Sequence, residues 1–267
     1  FDKELSENNI VTIQPDSLRI LHNPLTGWVL YASMGVDAAD FWAQYDHMYI
    51  PELGHNVSVT DYAHTLYIRA SWTDFNPQED VYGWKIDSNL RAYIEGAYQR
   101  NMRLAFRVVV DSRDKRTEFT PQFVKDAGAK GFMNKGKWSP YSDDPVFQKY
   151  YTKFVKALAK DFNDPSKVEF IDGFGLGKWG EYHTMIYSTG DDTPKKAVFD
   201  WVTDIYSQAF DKVPVVINYH RWIGAGKDWV DDEHFAADSE EMLEEAIKKG
   251  YSLRHDAFGM TTYYGSW

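Results

Sequence analysis

Cysteine is absent from this chain of 267 residues. Disulfides, thiolate metal sites and cysteine nucleophiles are therefore excluded, and redox usage gives no hint of compartment. No run of about 18 apolar residues exists, so nothing in the sequence reads as a membrane-spanning helix. Positive charge is scarce, with 29 Lys and Arg against 40 Asp and Glu, a formal charge of -11. That balance excludes a nucleic-acid binder that gains affinity by neutralising phosphates, and a polybasic membrane-surface protein. P-loop, G-x-S-x-G and H-E-x-x-H patterns are missing, which removes support for NTPase, serine-hydrolase and zincin readings. Repeats, low-complexity tracts and Pro/Gly/Ser linkers are missing too. The expectation is a polar tail or added strand over residues 1–22 and one large domain over 23–267.

Aromatic residues are plentiful: 10 Trp, 18 Tyr and 16 Phe make up 16% of the chain. So much buriable surface excludes disorder, and flat rings can also stack on sugars. Apolar runs that read as strands cover residues 27–33, 65–72, 103–111, 168–176, 213–219 and 251–258. Between them lie amphipathic stretches. In Pro145–Phe162 the residues Phe147, Tyr151, Phe154, Val155, Leu158 and Phe162 recur at steps of three and four, behind the start signals Asp143, Asp144 and Pro145. Residues 87–100, 194–210 and 239–249 read as three more helices. Asp238 and Glu241 have capping-box spacing at the start of the last, and Gly250 stands where a C-cap belongs.

Alternating strands and helices imply a parallel sheet with helical crossovers. Links from helix to strand are tight (101–102, 163–167, 211–212), whereas links from strand to helix (112–144, 177–193, 220–238) are long and rich in Trp, Tyr, His, Arg and Asp. Loaded loops at one end of the strands predict an α/β fold of the TIM-type (β/α) barrel class, with its site at the C-terminal face. A doubly wound sheet calls for a Gly-rich phosphate turn after the first strand, and residues 34–37 supply none. About six of eight β/α units are visible before Trp267, so the barrel is expected to be truncated at its C-terminus.

The run Arg69-Ala-Ser-Trp72-Thr-Asp-Phe-Asn-Pro77-Gln-Glu79-Asp-Val-Tyr82-Gly-Trp84-Lys-Ile-Asp87 resembles the second β/α unit of clan-A-type glycoside hydrolases, in which a strand ending in Trp or Tyr leads into E-P-x-E-G-x-Y-x-W-x-x-I-D. Three further stretches are similar to N-P-x-x-G, G-x-W-G-E-x-H and R-x-D-x-x-G patterns of the bacterial barrel proteins grouped as DUF4874/DUF4832. They are Asn23-Pro24-Leu25-Thr26-Gly27, Gly177-Lys178-Trp179-Gly180-Glu181-Tyr182-His183 and Arg254-His255-Asp256-Ala257-Phe258-Gly259. The resemblance spans residues 23–259. It implies a glycoside hydrolase acting on a poly- or oligosaccharide, with Glu181, after the fourth strand, as the acid/base carboxylate. Where the clan has Asn directly before that Glu, this chain has Gly180. A carbohydrate is the expected partner, no cofactor is expected, and the expected location is secreted, periplasmic or cell-surface. Oligomeric state is not fixed by the sequence.

Glycoside hydrolysis calls for a second carboxylate. In the clan it comes from the seventh strand, so within this chain Asp256, at the end of the sixth, is the first substitute and Asp111, at the end of the third, the next. Arg69, Arg107, His220, Arg221 and Arg254 fall at or near strand ends, where they can bind hydroxyls or a carboxylate, or pair within the barrel. Trp72, Trp138, Trp179 and Trp222 are candidate sugar platforms, with packing as the rival role, and His183 and Asp111 join the substrate-binding set. Two other functions stay open. One is a non-catalytic carbohydrate-binding barrel. The other is a metal-dependent hydrolase or isomerase in which His183, His220 and His255 converge with Glu181 or Asp256.

Overall fold

A computed structural model describes residues 27–113, 117–219, 223–226 and 238–255. In chain order its elements are β1 (Trp28–Tyr31), α1 (Ala38–Asp46), β2 (Met48–Ile50), β3 (His55–Val57), β4 (Ala63–Ser71), α2 (Trp72–Phe75), α3 (Gly83–Ile86), α4 (Ser88–Gln99), β5 (Arg103–Val109), α5 (Gln122–Asp126), β6 (Gly131–Asn134), β7 (Lys137–Pro140), α6 (Pro145–Phe162), β8 (Val168–Asp172), α7 (Lys195–Ala209), β9 (Val215–Asn218), α8 (Ser239–Lys248) and β10 (Tyr251–Arg254). Among the described residues no helix is long and apolar enough to cross a membrane.

One parallel sheet organises the chain, in the order β1-β4-β5-β8-β9-β10. Every strand pairs in parallel with the sheet strand before it in sequence. This is the singly wound order of a (β/α) barrel, six strands of it. A doubly wound sheet would reverse direction at a switch point. The outer strand β1 leaves Trp28, Val29 and Tyr31 exposed, and the outer strand β10 leaves Leu253 exposed.

Because side chains alternate across a strand, the sheet has two unlike faces. On the convex face Leu66, Ile68, Leu104, Phe106, Val108, Ile171 and Ile217 are buried beneath the helices. The period of α6 decides its packing: Phe147, Tyr151, Phe154, Leu158 and Phe162 all turn inward. Its start uses the expected signals, with the Asp144 side chain accepting from Phe147 N and Pro145 in the first turn.

Several expectations need correction. The strand expected over 168–176 stops at Asp172, because Gly175 adopts φ +74 and a Cβ there would meet the Val108 carbonyl at 2.3 Å. Asp238 does not cap α8 through its side chain; it is left-handed at φ 67, and its carboxylate lies 3.8 Å from Lys195 Nζ. The long link 112–144 contains α5 and the antiparallel hairpin β6–β7. Lys135 and Gly136 both take positive φ in its turn, as a two-residue turn of the mirror-image type requires. Residues 1–22, and the end of the strand expected to reach 258, lie outside the described residues.

Candidate active site

The concave face collects polar side chains at the C-terminal ends of the strands. Arg69 and Arg107 are register partners on β4 and β5, and Asn218 and Arg254 are partners on β9 and β10. Asp172 ends β8 between them and is fully buried. Arg107 uses all three nitrogens: Nε donates to Asp172 Oδ2 at 2.9 Å, Nη1 to Glu181 Oε1 at 2.9 Å, and Nη2 to Asn218 Oδ1 at 3.3 Å. Arg254 Nη1 donates to both Asp172 oxygens, at 2.7 and 3.0 Å. The Tyr67 hydroxyl also donates to Asp172. Burial first, and then the Asp172 charge, push the Tyr67 phenol well above its ordinary range, so it stays a donor. Two carboxylates are thus fixed by one guanidinium, with Asp172 beneath and Glu181, about one-fifth exposed, above.

Glu181 is presented by an unusual stretch of backbone. Between residues 175 and 184 six positions are left-handed: Gly175, Gly177, Trp179, Gly180, Tyr182 and Thr184. Three of these are not glycine, and strain of that kind costs on the order of 1–3 kcal/mol per residue unless the surroundings hold it. Here they do. Tyr182 N bonds to Leu176 O at 2.9 Å, Lys178 N to His183 O at 3.0 Å, and Gly224 N to Tyr182 O at 2.7 Å. Two arginines clamp the loop from outside: Arg69 Nη2 donates to Trp179 O at 2.8 Å, and Arg113 Nη2 donates to Thr184 O. The carbonyls they hold flank Glu181 on both sides. Gly180, which stands where the resemblance expects Asn, occupies φ +72, a conformation both residue types tolerate.

The expected site residues divide. Glu181, Arg107, Arg254 and His183 come together: His183 Nε2 is 3.6 Å from Glu181 Oε2, and its Nδ1 is 2.8 Å from Thr184 Oγ1. Arg254, expected to meet substrate, is given to Asp172 and Tyr67. Trp179 stays partly exposed with Lys178 Nζ 4.6 Å over its ring. Trp72 is not a sugar platform. It has the outward parity of Ile68 and Ala70, is fully buried, and meets Tyr151 at 5.2 Å edge-on. Trp138 is also buried, with Lys125 Nζ 5.6 Å over its ring. Asp111 is no free acid: Arg113 N and Nε donate to its two oxygens at 2.8 and 2.7 Å, and Ser139 Oγ is 3.3 Å away. It braces the arginine that braces the loop.

Asp256, His220, Arg221 and Trp222 lie outside the described residues. Among the described residues no group of three His, Asp or Glu could hold a metal ion, and the His255 ring instead lies 6.1 Å from that of Tyr219. Sequence reasoning missed Asp172, Tyr67 and Arg113. The signal for Asp172 was present, since it is an acid two places beyond Phe170 and so on the same face of the strand, but extending that strand to 176 hid its position at the strand end.

No protein-family model matches the chain, and no curated protein matches it. Solved structures that resemble it include an endo-1,4-beta-xylanase from Caldicellulosiruptor owensensis, 13% identical with a TM-score of 0.44, covering 77% of this chain and 57% of that one. An intracellular xylanase from Thermoanaerobacterium saccharolyticum is 10% identical with a TM-score of 0.46, covering 85% and 61%. Endo-glycoceramidase II from Rhodococcus sp., as a lactosyl-enzyme intermediate, is 13% identical with a TM-score of 0.45, covering 84% and 60%. The chain therefore spans about three-fifths of the length of these proteins. At such scores they are likenesses only, and the fold assignment rests on the strand order itself.

Proposed function

We propose that this chain is a glycoside-hydrolase barrel acting on a poly- or oligosaccharide, related to clan-A-type hydrolases and within them most similar to the DUF4874/DUF4832 barrel proteins. One observation carries the reading. Glu181 stands on a braced loop just beyond β8, its carboxylate aligned by Arg107, where a (β/α) barrel concentrates its chemistry. In this role Glu181 gives a proton to the glycosidic oxygen as the bond to the anomeric carbon breaks, and takes one from the water that replaces the leaving group. Arg107 donates to Oε1, so Oε2 is the oxygen that carries the proton to be given. Asp256, two residues beyond Arg254 in the sequence, is the proposed second carboxylate, and Arg221 and His220 are proposed as sugar ligands. A secreted, periplasmic or cell-surface location fits a polymeric substrate.

Glu181→Gln tests this on a panel of neutral and acidic oligosaccharides. The expected result is a loss of turnover of about 10²–10⁴-fold, with sugar binding and thermal melting kept. Unchanged turnover in the folded variant sinks the catalytic assignment. If the wild type binds oligosaccharide but turns none over, the chain is a carbohydrate-binding barrel instead. Among the described residues that second reading has one point in its favour: the only other carboxylate on Arg107, Asp172, is sealed from solvent.

A further inference from the structure

Arginines near Glu181 differ in one respect. Arg107 is paired with Asp172 and Glu181, Arg254 with Asp172, and Arg113 with Asp111. Arg69 has no carboxylate among the described residues. Its Nη2 is held by the neutral Trp179 carbonyl at 2.8 Å, and its Nη1 reaches the Tyr31 hydroxyl at 3.4 Å, long for a hydrogen bond. Its Nε is shielded from water and makes no hydrogen bond. An arginine in this state is under-satisfied, because guanidinium groups removed from water normally find an anion.

The charge around it points the same way. Arg69, Arg107 and Arg254 face the concave side, where, among the described residues, Asp172 and Glu181 pair with Arg107 and Asp172 also with Arg254. Among the described residues the guanidinium of Arg69 is the one of the three without a carboxylate, within a chain whose formal charge is -11. Its place is specific: Arg69 is the register partner of Arg107 on the neighbouring strand, and Arg107 holds Glu181. Tyr31 is half exposed beside it, an aromatic face next to a weakly engaged guanidinium nitrogen.

We infer that the saccharide taken by this site carries a carboxylate, as a uronic acid does, and that Arg69 binds it through Nη1 with the sugar ring against Tyr31. This rests on the glycosidase reading for the placement of the sugar, and on the unpaired arginine for its acidity. The planar carboxylate matches the guanidinium fork, and in a partly desolvated site the pair is stronger than at an open surface.

Calorimetry separates the possibilities, using oligogalacturonates and glucuronate-bearing xylo-oligosaccharides against neutral galacto- and xylo-oligosaccharides of equal length. Wild type and Glu181→Gln are expected to bind the acidic ligands about tenfold or more tightly than the neutral ones, the ratio falling as salt rises. Arg69→Met should bring that ratio close to one, and Arg69→Lys, which keeps the charge but loses the fork, should keep part of it. A merely structural clamp on Trp179 predicts otherwise: Arg69→Met would weaken acidic and neutral ligands equally, and that overturns the inference. So does a wild-type ratio near one. Failure of the glycosidase reading shows separately, as unchanged turnover in Glu181→Gln, because the binding ratio is read without catalysis.

Discussion

The two faces of the parallel sheet are made by the same strands yet obey different rules. Outward residues of β4 and β5, such as Ile68 and Phe106, vanish into an aromatic core shared with Trp72, Tyr151, Phe154 and Phe162. Inward residues one position away, Tyr67 and Arg107, enter a network of charges with Asp172 at its centre. Stability on the convex side is spread over many contacts that area and volume govern. On the concave side it hangs on a few groups, each of which leaves a buried charge exposed to its absence. The lesson is that the inner face is organised to place Glu181, and the outer face to keep the sheet that carries it.

The largest effect should come from breaking the inner network at its centre. Asp172→Ala leaves Arg107 and Arg254 without their shared anion, and removal of one partner from a buried pair costs about 3–5 kcal/mol. A urea midpoint reads this directly. Replacing all three together (Asp172→Leu, Arg107→Met, Arg254→Met) should recover most of the loss, since a buried ion group is often no more stabilising than packed hydrophobes. Equal loss in the single and triple variants would break the comparison, because it would mean that the charges themselves stabilise the fold.

On the outer face the matching change should cost less. Trp72→Phe removes ring volume from a fully buried site, yet the indole Nε1 of Trp72 makes no hydrogen bond, so no bond is lost and an orphaned donor is relieved. A net loss of about 1–2 kcal/mol is expected in the same urea measurement, within the range of partial large-to-small changes. A loss as large as that of Asp172→Ala would show that the convex core is no more forgiving than the network.

Legibility in the sequence followed this division. The convex side was readable because repetition gave it away: α6 matched its expected bounds to the residue, since period and cap agreed. The order of the six strands could be read for the same reason. Glu181 and its loop were legible through a motif. The partners that hold it were not, because a residue's parity along a strand decides which face it joins, and a strand drawn a few residues too long loses that parity. Trp72 was therefore placed in the site when it belongs to the core, while Tyr67, two positions before Arg69 and so on its face, went unread. The clamp by Arg113 was illegible for another reason: it joins a strand-end loop to a carbonyl 71 positions later, and no local pattern encodes such a contact.

An effect absent at neutral pH tests how dry the inner face is. Burial pushes up the phenols of Tyr151, Tyr182, Tyr206 and Tyr251, and also that of Tyr67. A pKa raised in the folded state means that above the unfolded value, about 10, the unfolded chain has lost protons that the native chain keeps. Stability is thus undiminished below about pH 10 and falls as pH climbs toward the folded values. Each such tyrosine adds about 1.4 kcal/mol per pH unit to that fall. Tyr67→Phe removes one of them, and the lost bond to Asp172 enters only as an offset already present at neutral pH. Urea melts between about pH 10 and 12 should therefore give the variant a slope shallower than wild type by about 1.4 kcal/mol per unit, the same change that Tyr151→Phe should produce from the outer side. A slope unchanged by Tyr67→Phe but reduced by Tyr151→Phe would mean that Tyr67 ionises in the native state. Water would then reach the ion network, and the two faces would differ in solvent access as well as in chemistry.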